Sequence, residues 1–318
     1  MKALKILQLS ASVVFLALAT SCSDESEEIV EVNPYTWRES AMSPRGLFNN
    51  ARLESDDDGN LYAYGTSPNG SAAFFKLTGG NWTNVGEPNV DEATYFQSFK
   101  IYHGSIYYNV PGKLYKIEGT ENKEIMSGAV IGSMGVCKGE LVVNGIISVS
   151  NDVFTIVSYD GTNIKPLSKE GTANSIVAAN DKVYIPGFPA VSYDGGSLSL
   201  LNYYGFFVAV DREEQFYFRT APTGNELNLS RRSNFGQEEK LGNPIVGMHE
   251  IFRDFEFFDG TYFAIGTDTL RGYSKVYFLK NDKWVEVPTE HVIYDVIVYN
   301  NKLLTSSVDG KFYELVKD

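Results

Sequence analysis

The sequence predicts an all-β chain built from one repeated unit of four short antiparallel strands, seven units in all, with six as the alternative count. Three observations predict it. One phrase, an apolar stretch followed by a tight polar turn and an apolar-aromatic strand, recurs from residue 52 onward. No stretch carries a sustained helical period, so helices are expected to be scarce. The last unit stops short of its outermost strand, while a lone aromatic strand, "NPYTWRES" at residues 33–40, stands before the first unit.

The phrase reads "DDDGNLYAYG", "IYHGSIYYNV", "VCKGELVVNG", "AANDKVYIPG", "VDREEQFYFR", "FFDGTYFAIG" and "VYNNKLLTSS". Its Asp-Gly, His-Gly, Lys-Gly and Asn-Asn pairs suit two-residue hairpin turns, which demand positive φ. The strands after these turns begin at Leu61, Ile106, Leu141, Val183, Phe216, Tyr262 and Leu303, roughly 33 to 46 residues apart. That spacing is near the period of β-propeller blades. A second hairpin follows each first one except the last, as in "AAFFKLTGGNWTNVG" and "SKVYFLKNDKWVEVP". The pattern resembles β-propellers generally, over nearly the whole of residues 33–318. "SDDDGNLY" fits the form of an Asp-box once, at a first-hairpin turn, and reads as an ordinary turn.

The tryptophans place the lone strand. Trp82 and Trp284 sit where the first and sixth units place their outer strands, and the chain's third tryptophan is Trp37. The seventh unit ends in "DGKFYELVKD", with no outer strand of its own. Trp37 is therefore expected in the outer strand of the last unit, closing the ring and covering an otherwise exposed sheet edge.

Residues 1–21 read as a secretory signal: Lys2 and Lys5 precede the apolar run "ILQLSASVVFLAL" and the small residues "ATS". "LATSC" resembles a bacterial lipobox, with Ala19 where that motif prefers Leu, and the resemblance implies that Cys22 is acylated. The acidic run "SDESEE" that follows resembles the surface-export signal of Bacteroidota-type lipoproteins. A solvated tether would give the same composition. The expected organisation is a signal over 1–21, a lipidated tether over 22–32 and a propeller over 33–318. The expected location is the bacterial outer membrane, held by acyl chains only and facing the exterior, with a periplasmic face as the alternative.

Net charge is −13, and −15 without Lys2 and Lys5, which argues against nucleic acid as a partner. Two cysteines and three histidines argue against a Cys/His zinc site, and neither a metal nor a cofactor is expected. Cys137 reads as a small apolar residue at a strand end.

In a propeller the first strand of each unit lines the central channel, and ligands meet the channel mouth and its loops. Six and seven positions before each turn stand Arg52 and Leu53, Gln97 and Ser98, Gly132 and Ser133, Asn174 and Ser175, Phe207 and Val208, Arg253 and Asp254, and Tyr294 and Asp295. Most are polar, so the mouth either binds a ligand or is a ring of side chains satisfied by one another and by water. Candidate ligand-binding residues are Arg253, Asp254, Tyr294, Asp295, Gln97 and Asn174, joined by the loop aromatics Tyr203, Tyr204 and Tyr273, whose rings suit stacking on sugars or anchoring a protein side chain. Tyr95, Phe96 and Phe188 belong to the same class. His249, Glu250 and His291 could add acid–base groups if they converge with Asp254 and Asp295. No phosphate loop, nucleophile elbow or metalloprotease motif is present.

The function expected from these features is non-catalytic binding of an extracellular glycan or protein at the cell surface. The alternatives are an enzyme acting on extracellular glycans, with Asp254 or Asp295 as acid or base, and a scaffold subunit of an outer-membrane complex.

Overall fold

Twenty-seven strands and no helix make up the described residues of the computed structural model. The structure describes residues 33–89, 97–170, 175–202, 207–220, 226–246, 250–268 and 273–317. Contacts divide the chain into Met1–Pro34 and Tyr35–Asp318, and the strands belong to the second. The signal, Cys22 and the acidic run lie outside the described residues.

The first strand, β1 (Tyr35–Glu39), stands apart from those that follow. A meander of β2 (Asn49–Ser55), β3 (Leu61–Thr66), β4 (Ala72–Thr78) and β5 (Asn81–Gly86) comes next. Then come β6 (Ser98–Tyr102), β7 (Ser105–Val110), β8 (Lys113–Glu118) and β9 (Glu121–Cys137), continuing in one sheet into β10 (Glu140–Val149), β11 (Asp152–Tyr159) and β12 (Ile164–Ser168). Two more four-stranded sheets are β13 (Val177–Ala179), β14 (Lys182–Ile185), β15 (Val191–Tyr193) and β16 (Leu198–Leu200), then β17 (Phe207–Val210), β18 (Gln215–Thr220), β19 (Glu226–Ser233) and β20 (Glu239–Val246). The last sheet holds β21 (Glu250–Phe258), β22 (Thr261–Asp268), β23 (Tyr273–Lys280), β24 (Lys283–Glu286), β25 (Ile293–Tyr299), β26 (Lys302–Ser307), β27 (Phe312–Lys317) and β1.

Each of the two larger sheets is a pair of four-strand meanders. In the first, Ser127 and the residues before it in β9 pair with β8, and Gly128 and the residues after it pair with β10. Separate short strands were expected in each unit; one strand of 17 residues crosses from one unit to the next instead. Two glycines permit the crossing. A Cβ on Gly128 would lie 2.1 Å from the Ile146 carbonyl, and one on Gly145 2.3 Å from that of Val130. The second large sheet is joined by a single pair, Ser274 with Ile293.

The turns follow the sequence reading. His103–Gly104, Lys138–Gly139, Asp259–Gly260 and Asn300–Asn301 all have positive φ, the backbone that a two-residue hairpin turn demands and that Gly adopts at low cost. The first and fifth meanders use an Asp-led turn. Asp56 accepts the Asn60 backbone amide at 2.7 Å, and Asp211 accepts those of Glu213 and Gln215 at 2.9 Å.

Apolar layers fill the spaces between consecutive meanders. Tyr62 and Phe74 pack with Phe99, Ile106 and Tyr108, for example, and Tyr184 packs with Phe207 and Phe216. The final layer returns to the start, with Leu304 and Phe312 packed against Phe48, Phe75 and Trp82. First strands touch in the same order: β2 meets β6, then contacts run through β9, β13, β17, β21 and β25, which meets β2.

Hydrogen bonds tie several of the turns to their neighbours. Tyr102 donates to the Gly139 carbonyl at 2.7 Å, Asn180 to that of Asp211 at 2.8 Å, and Tyr299 to that of Gly59 at 3.0 Å. The buried Cys137 thiol does the same toward Asp181 at 3.1 Å, and burial pushes its pKa up. β1 pairs antiparallel with β27, placing Trp37 opposite Leu315 in the outermost strand of the last meander. Tyr35 enters the layer between β21–β24 and β25–β27. Trp82 and Trp284 are buried in the outer strands β5 and β24, as expected; their indoles donate to the Met42 and Leu241 carbonyls.

Candidate functional site

The residues opening the inner strands form an arc of hydrogen bonds between neighbouring meanders. In β25, a bulge between Ile293 and Asp295 interrupts the pairing with β26. The half-buried Asp295 carboxylate accepts the Leu53 backbone amide of β2 at 2.7 Å. One residue earlier, the Arg52 guanidinium donates to the backbone carbonyl of Gln97. The Gln97 side-chain oxygen accepts from the Asn109 amide at 2.8 Å, and that amide also donates to the Ile131 carbonyl of β9 at 2.8 Å. Thus the candidates Asp295 and Gln97 and the inner-strand Arg52, from separate turns of the repeat, belong to one run of hydrogen bonds that passes from unit to unit.

Tyr64 and Tyr294 border this arc. Burial above all, with Tyr294 adding to it and Arg52 acting the other way, pushes the Tyr64 hydroxyl up to about 12. A tyrosine held neutral in this way is a hydrogen-bonding group at ordinary pH.

Asn109 was not among the expected site residues, although the repeat carries its signal. It stands five positions after Gly104, where Asn144 stands after Gly139 and Ser306 after Asn301. All three are fully buried polar residues. Asn109 also accepts from the Ser98 amide and hydroxyl, at 3.1 and 2.7 Å, and the Ser306 hydroxyl donates to the Ala51 carbonyl. At Asn109 and Ser306 this fixed polar position supplies hydrogen bonds to backbone carbonyls of neighbouring strands.

The other candidates are placed less fully. Arg253 and Asp254 lie in β21, with Asp254 opposite Ile265, and their side chains are outside the described residues. Tyr273 opens β23 opposite Asp268, and its side chain is likewise outside them. Asn174, Tyr203, Tyr204, Tyr95, Phe96 and His249 all lie outside the described residues, as does the Glu250 side chain. Phe188 is exposed, and the His291 ring lies flat on Tyr313 with centroids 3.7 Å apart. Among the described residues, no group of three His, Cys, Asp or Glu side chains is arranged to hold a metal.

No protein-family model matches the sequence, and no curated protein matches it. Solved structures do. The chain is similar to virginiamycin B lyase from Staphylococcus aureus, at 12% identity and a TM-score of 0.61, over 89% of this chain and all of that one. It is similar to the extracellular domain of a protein from B. thetaiotaomicron classed as a one-component system, at 10% identity and a TM-score of 0.55, over 89% of this chain and 40% of that one. It is also similar to the WD40 β-propeller domain of Doa1, at 12% identity and a TM-score of 0.52, over 89% of this chain and 97% of that one. At such identities the likeness carries the fold and nothing more. The protein is a β-propeller.

Proposed function

We propose that this chain is a seven-bladed propeller that binds an extracellular glycan or protein without catalysis, held at the outer face of a bacterial outer membrane by acyl chains on Cys22. The observation that carries the non-catalytic reading is the commitment of Asp295. Its carboxylate accepts a neighbouring backbone amide, and Arg52 is likewise spent on the Gln97 carbonyl. A general acid or base needs a carboxyl group open to its substrate. The count of seven rests on the meanders whose first strands touch in a cycle from β2 through β25 and back. The address rests on the lipobox-like "LATSC" and the acidic run after it. Several acyl chains at roughly 0.8 kcal/mol per buried CH₂ suffice for lasting attachment.

The test is a panel of host and plant polysaccharides offered to soluble Ser23–Asp318, scored for retardation in affinity gels and for released sugars in the same samples. Retardation without products supports the binding reading for glycans. Products overturn it and bring Asp254 forward as an acid or base. If neither appears, the glycan arm fails, and cross-linking on intact cells then tests the protein arm.

A further inference from the structure

Blade heights change abruptly between β9–β12 and β13–β16. The strands β9, β10 and β11 are 17, 10 and 8 residues long, whereas β13 to β16 have 3, 4, 3 and 3. Low on the shared boundary, Cys137, Val142 and Ile156 are buried against Val183, Ile185 and Tyr193. Higher up, Ile131, Ile147 and Phe154 pack on the opposite side, toward Tyr102, Tyr107 and Leu114. Their neighbours Val130, Ile146 and Val153 therefore turn toward the short strands. Ile146 lies directly opposite Val130, and Val153 opposite Ser148. The short strands end below them, leaving the three 38%, 40% and 52% exposed.

A groove of about 130 Å³ opens on the same boundary, lined by Ile156, Ile185, Pro189, Val191 and Leu198, with Ser168 and Glu170 also on its wall. Leu200 lines it too and is 72% exposed, on the outermost strand of its sheet. Phe188, 60% exposed, stands one residue before Pro189.

We propose that this step holds an extended peptide segment of a partner protein, with aliphatic side chains against the valine–isoleucine wall and the groove, and a lysine or arginine facing Glu170. The inference rests on the reading of the chain as a binding module and narrows its partner at this place. A sugar requires converging hydrogen-bonding groups or a platform of rings, and this lining is mainly aliphatic and proline. The short β16 is an edge strand, paired with β15 alone in its sheet, so an extended chain can reach its outer main-chain groups. Glu170 is an exposed carboxylate on a protein of net charge −13, which favours a basic residue in the incoming segment.

The test uses the full chain in detergent and three pools of fluorescent eight-residue peptides. Valine, leucine or isoleucine alternates with randomised positions, and the flanks are lysine, glutamate or serine. Anisotropy should show binding of the lysine-flanked pool, weakened about tenfold or more by Ile146→Asp and by Leu200→Glu, as for central contacts of an interface. Both sites are exposed, so melting temperatures should match the parent. Glu170→Lys should transfer the preference to the glutamate-flanked pool. The proposal is overturned if no pool binds, or if the substitutions leave binding unchanged. It is also overturned if sedimentation shows a dimer that Leu200→Glu dissociates while no pool binds, for then the surface meets a second copy of the chain. Polysaccharide retardation that survives Leu200→Glu would leave the binding-module reading standing whichever way the peptide result falls.

Discussion

The Asp295 carboxylate accepts the backbone amide of Leu53 at 2.7 Å, joining β25 to β2 across 242 residues of chain. The bond is charge-assisted and partly shielded from water. Asp295→Ala should therefore destabilise the fold by about 1–3 kcal/mol, the cost of stranding an amide that had a charged acceptor. Urea unfolding followed by tryptophan fluorescence measures it; an unchanged midpoint would remove Asp295 from the account of ring closure.

Asn109 does comparable work between β7 and β9. Its amide reaches Gln97 and the Ile131 carbonyl, and its oxygen takes two groups of Ser98. Replacement by leucine keeps the bulk and removes these bonds. A loss of about 1–3 kcal/mol is expected in the same assay. Wild-type stability in Asn109→Leu would mean that its bonds are surplus.

Deleting residues 33–40 removes β1, exposes the edge of β27 and takes Tyr35 out of its layer against Phe263 and Phe278. The melting temperature should fall by about 10 °C or more if several kcal/mol are lost, and soluble aggregates should grow through the bared edge. Scanning calorimetry with size-exclusion chromatography reads both effects. An unaltered melting temperature would contradict closure by β1.

The pair Lys317–Asp259, 2.8 Å apart, ties β27 to the turn between β21 and β22 and gives that contact a pH dependence. The hydrogen bond from Lys317 holds the Asp259 carboxyl below its ordinary value, against a smaller opposing effect of desolvation. A depressed carboxyl contributes stability above its unfolded pKa, about 4, and loses it as the pH falls through the folded value. Asp259→Asn should thus melt slightly lower at pH 7 and converge with the parent in acid. The difference should be small and shrink with salt, because the pair is exposed. A constant offset at every pH would show that the carboxylate charge is not the source.

Cys137 is buried, and its pKa is raised by that burial. It is the only cysteine in Ser23–Asp318. Its thiol should react with a disulfide reagent only as the protein unfolds, since the thiolate is the nucleophile. Stoichiometric labelling of the native protein within minutes at pH 8 would contradict the packing described.

Much of this fold is legible in the chain because hairpin turns restrict residue type. Positive φ admits few residues cheaply, so His103–Gly104 and Asn300–Asn301 are visible as turns before any strand is placed. The position of β1 is legible for another reason: an unpaired edge has to be covered, and Trp37 matches Trp82 and Trp284 as an outer-strand tryptophan. The continuity of β9 was not legible, because "SGAVIGSMG" has the composition of a loop. Gly128 serves close backbone approach to the Ile146 carbonyl instead, and Gly145 of β10 does the same toward the Val130 carbonyl. Polarity at Asp295, Arg52 and Gln97 was visible too, but their hydrogen-bond partners were not.

By itself the sequence determined the strand and turn order, the acidic surface and the place of Trp37, because alternation, turn chemistry and charge are local properties of the chain. Only the tertiary structure decided what the polar residues hold and where the surface steps. Asn109 meets the Ile131 carbonyl 22 residues further on, and Asp295 meets Leu53 from the far end of the domain. Val130, Ile146 and Val153 are exposed where β9–β11 run longer than β13–β16. Such relations depend on the positions of two or more units at once, and no local pattern contains them.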